Sequence, residues 1–385
     1  MNKLLCVFSF LICFPAASQT RSKEEYTGLN YAKPALLSKS IQEGNYKEDV
    51  LPNTQSLCFV GDLKAVFTCV NDLSTDSSLY KLLAQYPATY FSFEQVIERI
   101  KNEQVVMINE AHDRIKPRAF IYDLLPLFKK AGFTHLAMET ITEKANKELT
   151  YKTGIYTSEP TMGLLYRRAV KLGFKFIAYD NTEKNRDSIQ AVNLWKAIND
   201  STEIHKTLVI CGYGHLTEWC SNPKDKLMGS YFKEISGVNP LTIDQVEMAE
   251  FSKSAYLRTL HQFFVDTISK FIDGSNFVFP PICDIYICHP KTKFEHNRST
   301  DILLDGEREL KPIQVKDTET IIVQQYLASE INQPSDFSTR IPTDQTTYID
   351  VERNAYLAFF SREKYIIIMR NAKNEILSSK KMAVK

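Results

Sequence analysis

Short apolar runs recur through the middle of this chain, and four of them end on ionisable residues. They are VVMINEAH (Val105 to His112), HLAMET (His135 to Thr140), KFIAYD (Lys175 to Asp180) and TLVICGYGH (Thr207 to His215). Each is rich in the β-branched and aromatic residues that suit a buried strand. Between them the apolar positions recur at helical spacing: Phe120, Ile121, Leu124, Leu125 and Phe128 in the segment 114–131; Met162, Leu165, Ala169 and Leu172 after Ser158 and Pro160; Ile189, Val192 and Trp195 in the segment 186–198. Gly132 and Gly173 stop the first two of these helices, and Pro126 predicts a kink or a split in the first. Strands alternating with helices predict β-α-β units and a mostly parallel central sheet with flanking helices. Ligands of such sheets sit beyond the carboxyl ends of the strands. Glu110, His112, Glu139, Asp180 and His215 are therefore expected on one rim.

The flanking segments read differently. Residues 19–92 form a polar lead-in, in which LCFV and AVFTCV around Gly61-Asp62-Leu63-Lys64 predict a hairpin, followed by a helix over Leu79 to Tyr86. Ser92 with Gln95 three residues on is a capping box that opens a helix over Phe93 to Lys101 and begins an α/β core spanning 93–305. VNPLTIDQ (Val238 to Gln245) and CDIYICH (Cys283 to His289) predict further strands. Over 306–385 the segments TTYIDV, AYLAFF, KYIIIMRN and EILSSKKM predict a small C-terminal antiparallel β unit, its last two strands joined at Ala372-Lys373-Asn374.

Composition adds a compartment. Lys3 followed by an apolar run from Leu4 to Phe14 and then Ala16-Ala17-Ser18 reads as a secretory signal over 1–18, cleaved near Ser18/Gln19, so export to the periplasm or beyond is expected. No apolar run reaches the roughly 20 residues of a transmembrane segment. Ile12 before Cys13 does not fit a lipid-anchor signal. The 385-residue chain carries 47 basic and 46 acidic residues and loses Lys3 with its signal, a balance without the electrostatic footprint of a nucleic-acid binder. The cysteines beyond the signal are Cys58, Cys69, Cys211, Cys220, Cys283 and Cys288. Export permits bridges, with Cys58–Cys69 the best-placed pair and Cys211–Cys220 a second; free core thiols are the alternative.

Asn109-Glu110-Ala111-His112, Glu139 after a strand, Arg186 opening a helix and Gly212-Tyr213-Gly214-His215 together resemble the superfamily that joins erythromycin esterases, ChaN-like haem-binding proteins and the TraB/Tiki group. The resemblance covers about 93–250. Asn109 stands where the first motif usually has glycine. Asp113, Pro117 and Arg118 after His112 are similar to exported members from bacteria of the Bacteroides kind. The esterase branch implies metal-free hydrolysis and the Tiki branch a metal-dependent one, while the ChaN branch implies haem binding.

The residues permit each of these. A histidine at 112 or 215 takes a proton from water while Glu110 or Glu139 orients it, and Arg186 holds a carboxylate or a developing oxyanion. That set suffices to hydrolyse an ester or amide bond in a small-molecule or peptide substrate. Alternatively His112, Glu139 and His215 are ligands for a divalent ion, manganese, cobalt or zinc. Tyr179, Asp180 and Tyr213, with Tyr151 and Tyr156, are candidates to line a pocket or stack on a planar ligand such as haem, against ordinary packing. The structural alternatives are that Glu110 and Asp180 only cap their loops, that Arg186 pairs with Asp187 or Glu183 on a solvated surface, and that the chain is a non-catalytic scaffold. No G-x-S-x-G, G-x-G-x-x-G or Walker motif occurs, which disfavours serine-hydrolase and nucleotide chemistry.

Overall fold

The computed structural model describes residues 30–44, 53–70, 74–85, 87–142, 148–181, 183–199, 205–220, 222–250, 254–277 and 282–385. The signal sequence, its cleavage point at Ser18/Gln19 and the side chain of Cys69 lie outside them. The described residues begin with helices α1 (Ala32–Gln42), α2 (Thr54–Phe59), α3 (Leu63–Val70) and α4 (Ser77–Leu83). The core follows as β1 (Tyr90–Phe91), α5 (Phe93–Asn102), β2 (Val105–Glu110), α6 (Lys116–Lys130), β3 (Phe133–Met138), α7 (Pro160–Lys171), β4 (Lys175–Ile177), α8 (Arg186–Asn199), β5 (Lys206–Gly212), α9 (Met228–Ser236), β6 (Leu241–Asp244), α10 (Ala255–Phe264), β7 (Lys270–Asp273) and β8 (Ile285–Cys288).

These strands form one eight-stranded sheet in the order β1-β7-β8-β6-β2-β5-β3-β4. From β8 to β4 the neighbours run parallel, and β7 alone runs against them, antiparallel to both β8 and β1. The expected α/β architecture is thus present. Alternate residues of each central strand face opposite sides, as strand geometry requires. Val106 and Ile108 of β2 and Leu208 and Ile210 of β5 pack with α5, α6 and α7. Val105, Met107, Val209 and Cys211 pack with α4, α8, α9 and α10. A sheet covered on both faces leaves only its ends for chemistry.

Two expectations for the lead-in fail. Cys58 and Cys69 lie in consecutive helices, not in a hairpin, and Cys58, Cys211 and Cys220 all carry free thiols. The Gly61-Asp62 pair, read as a hairpin turn, instead ends one helix and starts the next. Gly61 has φ +77°, and the Asp62 carboxylate accepts the Ala65 N–H at 3.1 Å as an N-cap does. A side chain at Gly61 would lie 2.2 Å from the carbonyl oxygen of Gln345, so this turn is pressed against the C-terminal part of the chain. Pro126 sits inside a single helix, α6, which is not split.

Downstream come short β9 (Phe294–Glu295) and β10 (Arg298–Ser299), then β11 (Arg308–Gln314), β12 (Ile322–Leu327), β13 (Asp344–Thr346), β14 (Asn354–Phe360), β15 (Lys364–Arg370) and β16 (Ile376–Ala383). β11 pairs with β14, and β13-β12-β15-β16 form a second antiparallel sheet, the two enclosing Val323, Leu357, Phe359 and Ile367. TTYIDV is largely irregular, and the strand there is Asp344–Thr346. This β unit is bonded to the core: Arg167 of α7 makes two 2.7 Å contacts with the Glu330 carboxylate, and Ile321, Ile322 and Ile341 pack with the residues of α7. No helix of the described residues is long and apolar enough to cross a membrane.

Candidate active site

Parallel pairing aligns the strand ends. Glu110 at the end of β2 is in register with Gly212 at the end of β5, and the Glu139 N–H, just past β3, donates to the Ile210 carbonyl at 3.0 Å. His112, Glu139, Asp180, Arg186 and His215 accordingly meet at one rim.

On one side stands His112. Its Nδ1 is 2.7 Å from Glu110 Oε1, and its ring stacks on Tyr156 at 3.7 Å and meets Tyr213 edge-on at 4.7 Å. Arg118 of α6, fully buried, donates through Nε to Glu110 Oε2 (2.9 Å) and through a terminal nitrogen to Glu159 (3.1 Å). Glu159 also caps α7, accepting the N–H groups of Thr161 and Met162. Burial works against ionisation of Glu110, but the charges of Arg118 and His112 outweigh it and hold the carboxyl at about 2. An ionised Glu110 can only accept, so whenever the His112 ring is neutral its hydrogen sits on Nδ1 and the free lone pair on Nε2.

On the other side stands His215, whose Nδ1 is 2.5 Å from Asp187 Oδ1. Asp187 is fixed in turn by the Met228 N–H at the start of α9 (2.9 Å). Burial disfavours the imidazolium of His215, yet the Asp187 hydrogen bond and the negative charge of Glu139 overcome it and raise the pKa above the ordinary histidine value.

Glu139 lies between the two. It accepts the Gly212 N–H at 2.5 Å, is bonded by Arg186, and has one oxygen 4.0 Å from His215 Nε2. Gly212 allows the convergence: a β-carbon there would fall 2.6 Å from His112 Nε2 and 2.7 Å from Glu139 Oε2. Arg186 also spans the Asp180 carboxylate (2.9 and 3.0 Å) and brings a terminal nitrogen within 3.4 Å of His215 Nε2. With 26% of its side chain exposed, it is the most accessible charge at the site.

Asp180 is taken up by Arg186, Gln190 and the Thr140 N–H. Tyr179 is buried, its hydroxyl donating to the Ile210 carbonyl, while Tyr213 and Tyr156 sit against His112. Burial raises the pKa of all three phenols, which remain donors. His289 is a buried neutral histidine, pushed down to about 3 by burial and the charge of Lys116, with hydrogen bonds to Gln245 and Ser269. The metal-ligand set does not fit a divalent ion. The Arg186 guanidinium bonds Glu139 and approaches His215 where a cation would have to sit, and among the described residues no three His, Cys, Asp or Glu side chains are arranged to hold one. Sequence reasoning missed Arg118 and Glu159 as the anchor of Glu110, and Asp187 as the partner of His215. Asp187 had one signal: it follows Arg186 at the start of α8, beside the rim.

No protein-family model matches the chain, and no curated protein matches it. Among solved structures it is similar to the type III effector HopBA1 (11% identity, TM-score 0.37, covering 53% of this chain and 97% of that one). It is also similar to a structure described as bacterial protein toxins (14%, 0.32, covering 50% and 44%) and to RRSP, a MARTX toxin effector domain from Vibrio vulnificus CMCP6 (12%, 0.32, covering 52% and 46%). At these scores the likenesses carry no argument about activity.

Two outcomes test the site's electrostatics. Arg118→Met strands two buried carboxylates and is expected to cost about 3–5 kcal/mol in chemical denaturation at pH 7; an unchanged midpoint would contradict the network. His215 is expected to titrate above about 6.5 by NMR and to fall when Asp187 is changed to Asn. Because folding raises this pKa, its stabilisation is complete below about pH 6.5 and is lost as pH rises through the folded value. A His215 titration at or below the free-histidine value would refute the assignment.

Proposed function

We propose that this chain is an exported hydrolase of ester or amide bonds that uses His112 and His215 as proton carriers and needs no metal. One observation carries the reading: each histidine has a carboxylate on Nδ1, Glu110 at 2.7 Å and Asp187 at 2.5 Å, and the two pairs flank Glu139 and Arg186. A structural histidine needs one satisfied nitrogen; two so held around a shared carboxylate and guanidinium make a proton-transfer site.

The chemistry balances with these groups. A water between His112 Nε2 and the Glu139 carboxylate donates a hydrogen to each and directs a lone pair at the substrate carbonyl carbon. As the new C–O bond forms, His112 Nε2 takes the proton. Arg186 holds the oxyanion of the tetrahedral intermediate. His215, made more basic by Asp187 and Glu139, supplies through Nε2 the proton that leaves with the alcohol or amine as the C–O or C–N bond breaks. The products are a carboxylic acid and the protonated leaving group, and the proton held by His112 passes through water to His215, which resets the pair for the next turnover.

The test is a screen of ester, lactone and peptide substrates in the presence of a chelator, joined to N-terminal sequencing of the exported protein. Turnover is expected to survive chelation and to fall roughly 100-fold or more in His112→Ala and His215→Ala, with a mature terminus at or near Gln19. Full activity in both variants would end the proposal. Activity lost to the chelator and restored by manganese, cobalt or zinc would overturn its metal-free form, and a Soret shift with added haem without turnover would favour planar-ligand binding. An intact Met1 would overturn export.

A further inference from the structure

Asn109 is fully buried and every polar atom of its side chain is engaged. Its Nδ2 donates to the Tyr213 carbonyl at 2.7 Å and to the Asp244 carboxylate, and its Oδ1 accepts the Gln245 N–H at 2.6 Å. The Asn109 carbonyl accepts from Gln245 Nε2 at 2.8 Å, and the other end of that amide is held by His289 at 2.8 Å. The two hydrogens and the acceptor of the Asn109 amide thus go to two elements: the turn after β5, and the end of β6 at Asp244 and Gln245.

The turn after β5 needs such a clamp. Tyr213 has φ +43°, a left-handed conformation that a bulky residue adopts only when its surroundings enforce it. That kink carries the chain out of β5. It lets the Tyr213 ring close edge-on against His112 and brings His215, two residues on, to Asp187 and Arg186. Asn109 is itself one residue before Glu110 and three before His112. It therefore belongs to one histidine-bearing segment and grips the other.

We infer that Asn109 is a positioning residue that holds the two histidine-bearing turns in register by fixing the Tyr213 carbonyl. The kinetic part of this inference rests on the hydrolase reading; the structural part does not. Glycine at this position would leave the Tyr213 carbonyl and the Asp244 carboxylate without their donor. Aspartate, nearly the same size, would keep the acceptor for Gln245 and replace both donor hydrogens with negative charge facing two acceptors.

The experiment compares Asn109→Asp and Asn109→Ser with the unaltered full chain, reading the histidine ring resonances by NMR and then kcat and KM on the substrate that the screen identifies. The serine hydroxyl can serve one partner, and this variant decides the matter if the aspartate variant does not fold. Expected are displaced His112 and His215 resonances in the folded variant, larger for Asp than for Ser, and a fall in kcat of up to about 100-fold with KM little changed. Unaltered histidine resonances, or unchanged kcat per folded molecule with only a lower melting temperature, would overturn the inference. If the unaltered protein turns over no substrate, the hydrolase reading fails on its own and the resonances alone decide the role of Asn109.

Discussion

A buried guanidinium between two carboxylates is the constraint on which the rim depends. Arg118 has no exposed surface and holds Glu110 on one side and Glu159 on the other. Three charges out of water are costly unless they neutralise one another and every hydrogen is used. Here the surplus negative charge is spread in two directions. Glu159 takes two N–H groups at the start of α7, where the helix dipole favours an anion, and Glu110 faces the His112 ring. The consequence for chemistry is a carboxylate locked in its ionised form against one nitrogen of an imidazole. That fixes which nitrogen carries the hydrogen when the ring is neutral.

The second histidine is built by a different route to the same end. Asp187 comes from the first turn of α8, is fixed by the first turn of α9, and faces the His215 ring at 2.5 Å. Glu139 and Arg186 fill the space between, and Asp180 with Gln190 holds the guanidinium in place. The cation at the centre of the site is an arginine, delocalised and permanently protonated.

Much of this was legible in the sequence, for a definite reason. The end of a buried strand is where an apolar run gives way to the rim, and both events are local, so Glu110, His112, Glu139, Asp180 and His215 could be found from the runs alone. The partners were hidden because their pairing is not local. Arg118 and Glu159 are 41 residues apart, and in a helix pattern a buried arginine looks the same as a solvated one. Asp187 and His215 lie 28 apart. The Gly61-Asp62 pair misled because a left-handed glycine before an aspartate serves a hairpin turn and a helix-to-helix junction equally well. β11 was missed since RELKPIQ is too polar for a core strand, and β12 because IVQQYL buries Gln324 and Gln325, which the sequence marks as surface.

The central claim is that the two histidine pairs act as one unit around Glu139. The most direct measurement is the turnover of the His112→Ala/His215→Ala double variant beside the two single variants, each corrected for its folded fraction. His112 serves the attack and His215 the departure of the leaving group, and the slower of two successive steps sets the turnover, so the double variant is predicted to be about as slow as the slower single one. Losses that multiply would mean two independent contributions and would contradict the account.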